Sequence, residues 1–284
     1  MKKIDPYDEI AKRGRFIHIY GVTEVGKSTS SFQSLPQPIL TILGEARNPR
    51  TSLEALGEKK VEFYKVPVFF DDPTELREFL SDLLRNEGKE LDQFASIFFD
   101  GASNFYNNSV GALLEDEYYE MMEAGNKIKR PIAQQTERDM KVYGAMASEL
   151  LRIYNLLARF SSQHNKVVVS ASLVRTIDRR IRIERMNKEP LMLSNPQFTE
   201  LVGRFDIPES VDSYDVPNFD GKVFLKEFPG LVDMIGRVER RHDANGEVVY
   251  PPTVNFDAKE SMCKFTGKRG KTSGPLDFTK ILGL

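Results

Sequence analysis

Residues 21–28 read GVTEVGKS, directly after the apolar run RFIHIY at 15–20 and directly before TSSFQSL at 29–35. The octapeptide fits G-x-x-x-x-G-K-[ST] in full. Glycines at this spacing let successive backbone N–H groups turn inward around phosphate oxygens. Lys27 would then reach the β- and γ-phosphates, and the Ser28 hydroxyl would hold Mg²⁺. The pattern alone is a moderate signal; the context that supports it is a strand before and a helix after. RFIHIY alternates and is β-rich, so it reads as a strand. Residues 27–33 read as a helix start, and PQP at 36–38 ends that helix. The cradle is therefore assigned to Gly21, Val22, Thr23, Glu24, Val25, Gly26, Lys27, Ser28 and Thr29. A carboxylate inside such a loop is tolerable only if it points away from the phosphates, so Glu24 is expected to do so.

Outward from this motif, apolar runs alternate with helical patterns. ILTIL at 39–43, VEFYKVPVF at 61–69, FASIFFD at 94–100 and KVVVSAS at 166–172 read as strands. DDPTELREFLSDLLRNEG at 71–88 opens with a capping acid and a proline and closes on glycine, which predicts a helix. Residues 103–124 and 137–163 also read as helical, the latter with Leu150, Ile153, Tyr154 and Leu157 on one face. Strands apolar on both faces and separated by helices predict an α/β fold with a mostly parallel central sheet flanked by helices. Toward the C-terminus, RRIRIER at 179–185 and PLMLS at 190–194 predict a β-hairpin with a charged face. GRVERRHDANGEVVY at 236–250 predicts a second one around Asn245-Gly246.

Composition sets limits. The 284 residues carry 40 Lys plus Arg against 42 Asp plus Glu, a net charge of −2, so any affinity for nucleic acid must reside in a local patch. A single cysteine, Cys263, excludes an internal disulfide and a cysteine-built metal cluster, and fits a reducing cytoplasm. His18, His164 and His242 are scattered, and a core or surface role is expected for each. MKKIDPYDEI lacks the apolar core of a signal peptide, and no run is long enough for a membrane span, so a cytoplasmic protein is expected.

Two acids extend the phosphate reading. Asp100 ends the strand SIFFD, where a carboxylate would position Mg²⁺. Glu45 follows ILTILG, where it could orient or deprotonate an attacking water; a solvated loop acid is the alternative. Between 175 and 188, Arg175, Arg179, Arg180, Arg182, Arg185 and Lys188 stand against Asp178 and Glu184, six against two, an excess of four positive charges. Such a segment suits DNA phosphates. Alternating arginines also serve to blunt an exposed sheet edge.

The order of these parts resembles the RecA-type ATPase core. More closely it resembles the compact phage ATPases of the Sak type, related to RecA and RadA, over roughly residues 14–284. The motif at 21–28, Glu45 after the second strand, FASIFFDGASNF, NKVVVSAS, and FTGKRG followed by PLDFTKIL carry the resemblance. It implies one RecA-like ATPase domain over 1–284, with an acidic helical insertion at about 104–140 and a basic hairpin at about 173–193. It implies ATP and Mg²⁺ as cofactors, Glu45 as catalytic glutamate and Asp100 as the Walker B acid. Lys268 and Arg269 would project across a subunit interface toward a neighbour's γ-phosphate. The implied partners are copies of the same chain, in a ring or filament, and DNA, single-stranded in such mediators, in the host cytoplasm. One departure is SAS at 170–172, where the family tends to place a histidine or glutamine sensor; Ser170 or Ser172 would take that role here. A packaging or helicase-loading motor with the same core, and a non-hydrolysing assembly protein locked by ATP, remain open as alternatives.

Overall fold

The computed structural model describes residues 14–44, 68–69, 72–85, 90–111, 140–183, 190–193, 209–220, 222–258, 261–266 and 272–283. Glu45, Arg185, Lys188, Lys268, Arg269, residues 61–67 of the third expected strand and residues 112–139 of the acidic stretch lie outside the described residues. In chain order the elements are β1 (Phe16–Gly21), α1 (Lys27–Ser34), β2 (Ile39–Leu43), β3 (Val68–Phe69), α2 (Pro73–Arg85), β4 (Ser96–Asp100), α3 (Met140–His164) and β5 (Val167–Ile183). There follow β6 (Pro190–Leu193), β7 (Glu209–Pro217), α4 (Val223–Glu227), β8 (Met234–His242), β9 (Val248–Asn255), β10 (Lys264–Phe265), β11 (Ser273–Pro275) and α5 (Phe278–Leu282).

Among the described residues these strands form one eleven-stranded sheet with the path β11-β9-β8-β1-β5-β4-β2-β3. From β8 to β3 every pairing is parallel. Each parallel neighbour requires a crossover, and among the described residues α1 lies between β1 and β2, α2 between β3 and β4, and α3 between β4 and β5, which is why apolar runs and helical patterns alternate along the sequence. The strand bearing the 21–28 loop lies at the centre, between β5 and β8, while β4 with its terminal acid lies one strand further out. This is the α/β fold with a mostly parallel central sheet flanked by helices that the sequence predicts. The C-terminal antiparallel additions β9, β10 and β11 extend the sheet beyond β8.

Burial explains why the elements hold. All six residues of β1 and all five of β2 are buried, so both faces of the sheet are covered. On one face, Leu76, Leu80 and Leu83 of α2 pack with Leu150, Ile153, Tyr154 and Leu157 of α3 against Phe16, Tyr20 and Val168. On the other, Phe32 and Leu35 from α1 and its end, with Phe278 of α5, pack against Ile17, Ile19, Phe98 and Val169. Helix α2 begins as the sequence predicts, with Thr74 N–H donating to the Asp72 carboxylate across 2.6 Å. The start of the stretch expected as an acidic insertion is core instead. Residues 105–110 are π-wound, and Phe105, Tyr106 and Val110 are fully buried.

Candidate functional site

The loop between β1 and α1 sits at the carboxyl edge of the parallel strands, where open α/β sheets receive ligands. Its backbone turns twice into left-handed space, at Glu24 (φ 59°) and at Gly26 (φ 94°). The Glu24 side chain is exposed. Helix α1 starts at Lys27 with no side-chain cap and no acid in its first turn. Its N-terminal dipole therefore meets no compensating carboxylate of its own first turn. Lys27 is buried at 9% exposure, and its Nζ donates to the carbonyls of Gly21 (2.9 Å) and Val22 (2.8 Å). The ammonium is thus folded back inside the loop it would serve, rather than lying on the surface.

Asp100 closes β4 in register with Leu43 at the end of β2. The next residue, Gly44, donates its N–H to the Asp100 carbonyl across 2.7 Å. A Cβ at Gly44 would lie 2.7 Å from the Gly101 oxygen, so no side chain fits there. The two chain segments that lead into Glu45 and out of Asp100 therefore run against each other. A hydroxyl at Ser28 and a carboxylate at Asp100, both on this edge, suit Mg²⁺, which takes one or two protein oxygens and fills its octahedron with phosphate oxygens and water.

The serines of the expected sensor strand are engaged. His18, at the middle of β1, pairs in register with Ser170 of β5. Its Nδ1 is 2.8 Å from Ser170 Oγ and its Nε2 is 3.0 Å from Ser172 Oγ. All three side chains are 2% exposed or less, and burial pushes the imidazole down to about 3, so it is neutral. Tyr20, Tyr154, Phe219 and Phe228 ring it. Ser172 also donates to the Leu173 carbonyl across 3.2 Å. Ser172 lies opposite Tyr20, one residue before the end of β1 where the loop begins, whereas Ser170 is committed to the core. His18 has the core role expected of it, and what sequence reasoning missed is its pairing with Ser170 and Ser172. The signal for that pairing was a polar residue within a strand apolar on both faces, together with two serines spaced two apart, 170 and 172, on another buried strand.

The basic segment forms a β-arm. Beyond the core, β5 continues to Ile183 and pairs antiparallel with β6 on one side and with β7 on the other. The β5–β6 hairpin is the one expected; β7 was not foreseen. Register places Arg179 opposite Asp212, Arg180 opposite Val211 and Arg182 opposite Glu209. Arg175, at the root, pairs with Asp220 across 3.5 Å. The root is tied to the core by Asp215 of β7. Its carboxylate accepts from Thr176 Oγ1 (2.7 Å) and Arg237 of β8 (2.7 Å), and its carbonyl accepts from Tyr20 Oη (3.2 Å) and Met262 N (2.8 Å).

No family model and no curated protein matches the chain. Among solved structures it aligns with the crystal structure of the RadB recombinase, at 13% identity over 86% of this chain and 80% of that one, with a TM-score of 0.35. A likeness that low decides nothing by itself, and the fold rests on the strand order and on the loop between β1 and α1.

Proposed function

We propose that this chain is a Mg²⁺-dependent ATPase that assembles with copies of itself and acts on DNA, in the manner of the phage Sak-type, RecA-related proteins it resembles. The observation that carries the reading is the posture of Lys27: a buried ammonium held by two carbonyls of its own loop, at an uncapped helix start, on the carboxyl edge of the central strand. Backbone N–H groups and a helix N-terminus in this arrangement favour phosphate. On binding, Lys27 exchanges its carbonyl acceptors for β- and γ-phosphate oxygens. Bound Mg²⁺ would neutralise charge on those oxygens, with Ser28 and Asp100 as the residues that hold it.

Glu45 orients the attacking water and takes its proton. Lys268 and Arg269 reach a neighbouring copy's site and stabilise charge on the transferring phosphoryl group. Arg179, Arg180, Arg182, Arg185 and Lys188 line the arm toward DNA phosphates, with Arg175 at its root. Phosphate contacts of this kind read no base sequence.

The test is the ATP turnover rate with and without single-stranded DNA, with molecular mass measured in ATP. Turnover that rises with DNA, in an assembly larger than the monomer, is the expected result. ATP binding with no turnover, alone or with DNA, would refute the ATPase in favour of a nucleotide-locked assembly protein.

A further inference from the structure

A feature beside the loop is not used by any residue so far assigned. Strands β8 and β9 pair regularly up to Glu239 opposite Thr253 and resume at Arg241 opposite Val249. Between these pairs β8 has one residue and β9 has three: Tyr250, Pro251 and Pro252. The surplus lifts them out of the ladder, as bulges near binding sites do when they re-aim a side chain. The displaced Tyr250 ring comes to lie against the loop. A Cβ built on Gly26 would sit 2.8 Å from Tyr250 Cε1 and 3.5 Å from Pro252 Cδ.

Yet the ring is not consumed by this contact. Tyr250 is 57% exposed, the highest value among the exposed large apolar side chains of the described residues. The bulge is also fixed in place. Leu276 N–H donates to the Pro252 carbonyl across 2.7 Å, and Arg241 donates to the Tyr250 carbonyl across 3.4 Å. An aromatic face held out of a sheet by a pinned bulge, with its edge on the glycine that precedes Lys27, is a surface prepared for a flat partner.

We infer that Tyr250, with Pro252 as its rim, is the stacking platform for the base of the bound nucleotide. The inference rests on the phosphate reading of residues 21–28 and names the remainder of the ligand. A triphosphate anchored on the Lys27 loop carries its nucleoside within reach of the loop's flank, and among the described residues Tyr250 is the exposed ring on that flank. Stacking uses the π face that every base has, so it discriminates weakly by hydrogen-bond pattern. Purines, with the larger face, are held more tightly than pyrimidines, and adenine and guanine are held alike.

Calorimetric titration of the full chain with ADP, GDP, CDP and inorganic tripolyphosphate, each with Mg²⁺, tests this. In the unaltered protein ADP and GDP bind within a few-fold of each other and more tightly than CDP. Tyr250→Ala weakens ADP binding about tenfold, within the range that loss of a base–aromatic stack produces, and leaves tripolyphosphate binding unchanged. Tyr250→Phe restores ADP binding. If Tyr250→Ala binds ADP as the unaltered protein does, the platform is refuted while the phosphate site stands. If that variant changes only the assembly state, the ring belongs to a contact between copies and the inference is equally refuted. If the unaltered protein binds neither tripolyphosphate nor ADP, the phosphate reading fails and takes the platform with it.

Discussion

Arg237 on β8 and Asp215 on β7 form an ion pair 2.7 Å long at the point where the basic arm leaves the central sheet. The carboxylate is 14% exposed and the guanidinium 31%, and Asp215 also accepts from Thr176. Asp215→Ala is expected to lower stability by about 1 kcal/mol, because Arg237 loses its better-buried carboxylate and keeps only Glu239, at 2.9 Å, while the exposed Thr176 turns to water. Urea unfolding of Asp215→Ala, Arg237→Met and the double variant would measure the pair. A coupling of about 1 kcal/mol is expected; additive losses would show the contact to be incidental.

Lys27→Ala should lower ATP turnover at least about a hundredfold, the scale for removing a group that stabilises developing charge. Helix α1 keeps its packing through Phe32 and Leu35, so the unfolding midpoint should barely move. Turnover that survives the substitution would end the assignment of residues 21–28 to phosphate.

His18 gives a stability change with a defined sign. Its folded pKa, about 3, lies below its ordinary value of 6.5. Above 6.5 the imidazole is neutral in both states. As pH falls from 6.5 toward 3 the unfolded chain takes up a proton that the folded chain refuses, so stability is lost at about 1.4 kcal/mol per pH unit. His18→Leu removes this loss. It also lowers stability near pH 7.5 by about 1 kcal/mol, through the broken bonds to Ser170 and Ser172. The gap between the two proteins should therefore close and then reverse as the solution is acidified to pH 5; parallel stability curves between pH 7.5 and 5 would contradict a buried neutral imidazole.

Replacing Arg179, Arg180 and Arg182 with Ser is expected to weaken single-stranded DNA binding. The slope of log affinity against log salt should fall by about 0.7 for each lost phosphate contact. Fluorescence anisotropy at several salt concentrations reads both effects. An unchanged slope would return the arm to the role of a charged sheet edge, a reading that the cross-strand acids Asp212 and Glu209 make physically reasonable.

A mixing experiment reports on Lys268 and Arg269. A Lys27→Ala chain and a chain with both C-terminal basic residues changed to Ala should each be nearly inactive. Mixed, some interfaces join an intact loop to an intact pair from the neighbour, and part of the turnover should return. No recovery despite proven co-assembly would place these residues in their own chain's site or in its fold.

What could be read from the sequence was local. GVTEVGKS specifies strand, loop and helix within a dozen residues, and the stripe Leu150, Ile153, Tyr154, Leu157 repeats at helical spacing and is fully buried. Asp72 and Pro73 announce α2 in the same way. What escaped notice depends on partners distant in the chain. His18 is explained only by serines about 150 positions away, brought level by the β1–β5 register. The pairing of β7 with β5, and with it the acids opposite Arg179 and Arg182, has no local signature. Tyr250 reads as an ordinary hairpin residue until the surplus of three against one on β9 shows where its ring is sent.

Strand β5 runs without interruption for 17 residues. Its first part pairs with β4 through Ser170 and with β1 through Leu173; its remainder belongs to the arm. One strand therefore serves both the core and the arm, and it passes from one to the other beside Gly21. From Leu173 to Ile183 the rise is roughly 33 Å at the usual spacing of an extended chain. A tilt of about five degrees at that point would sweep the far end through about 3 Å, the length of a hydrogen bond. A displacement at the loop too small to disturb packing is large enough at the tip to make or lose a contact.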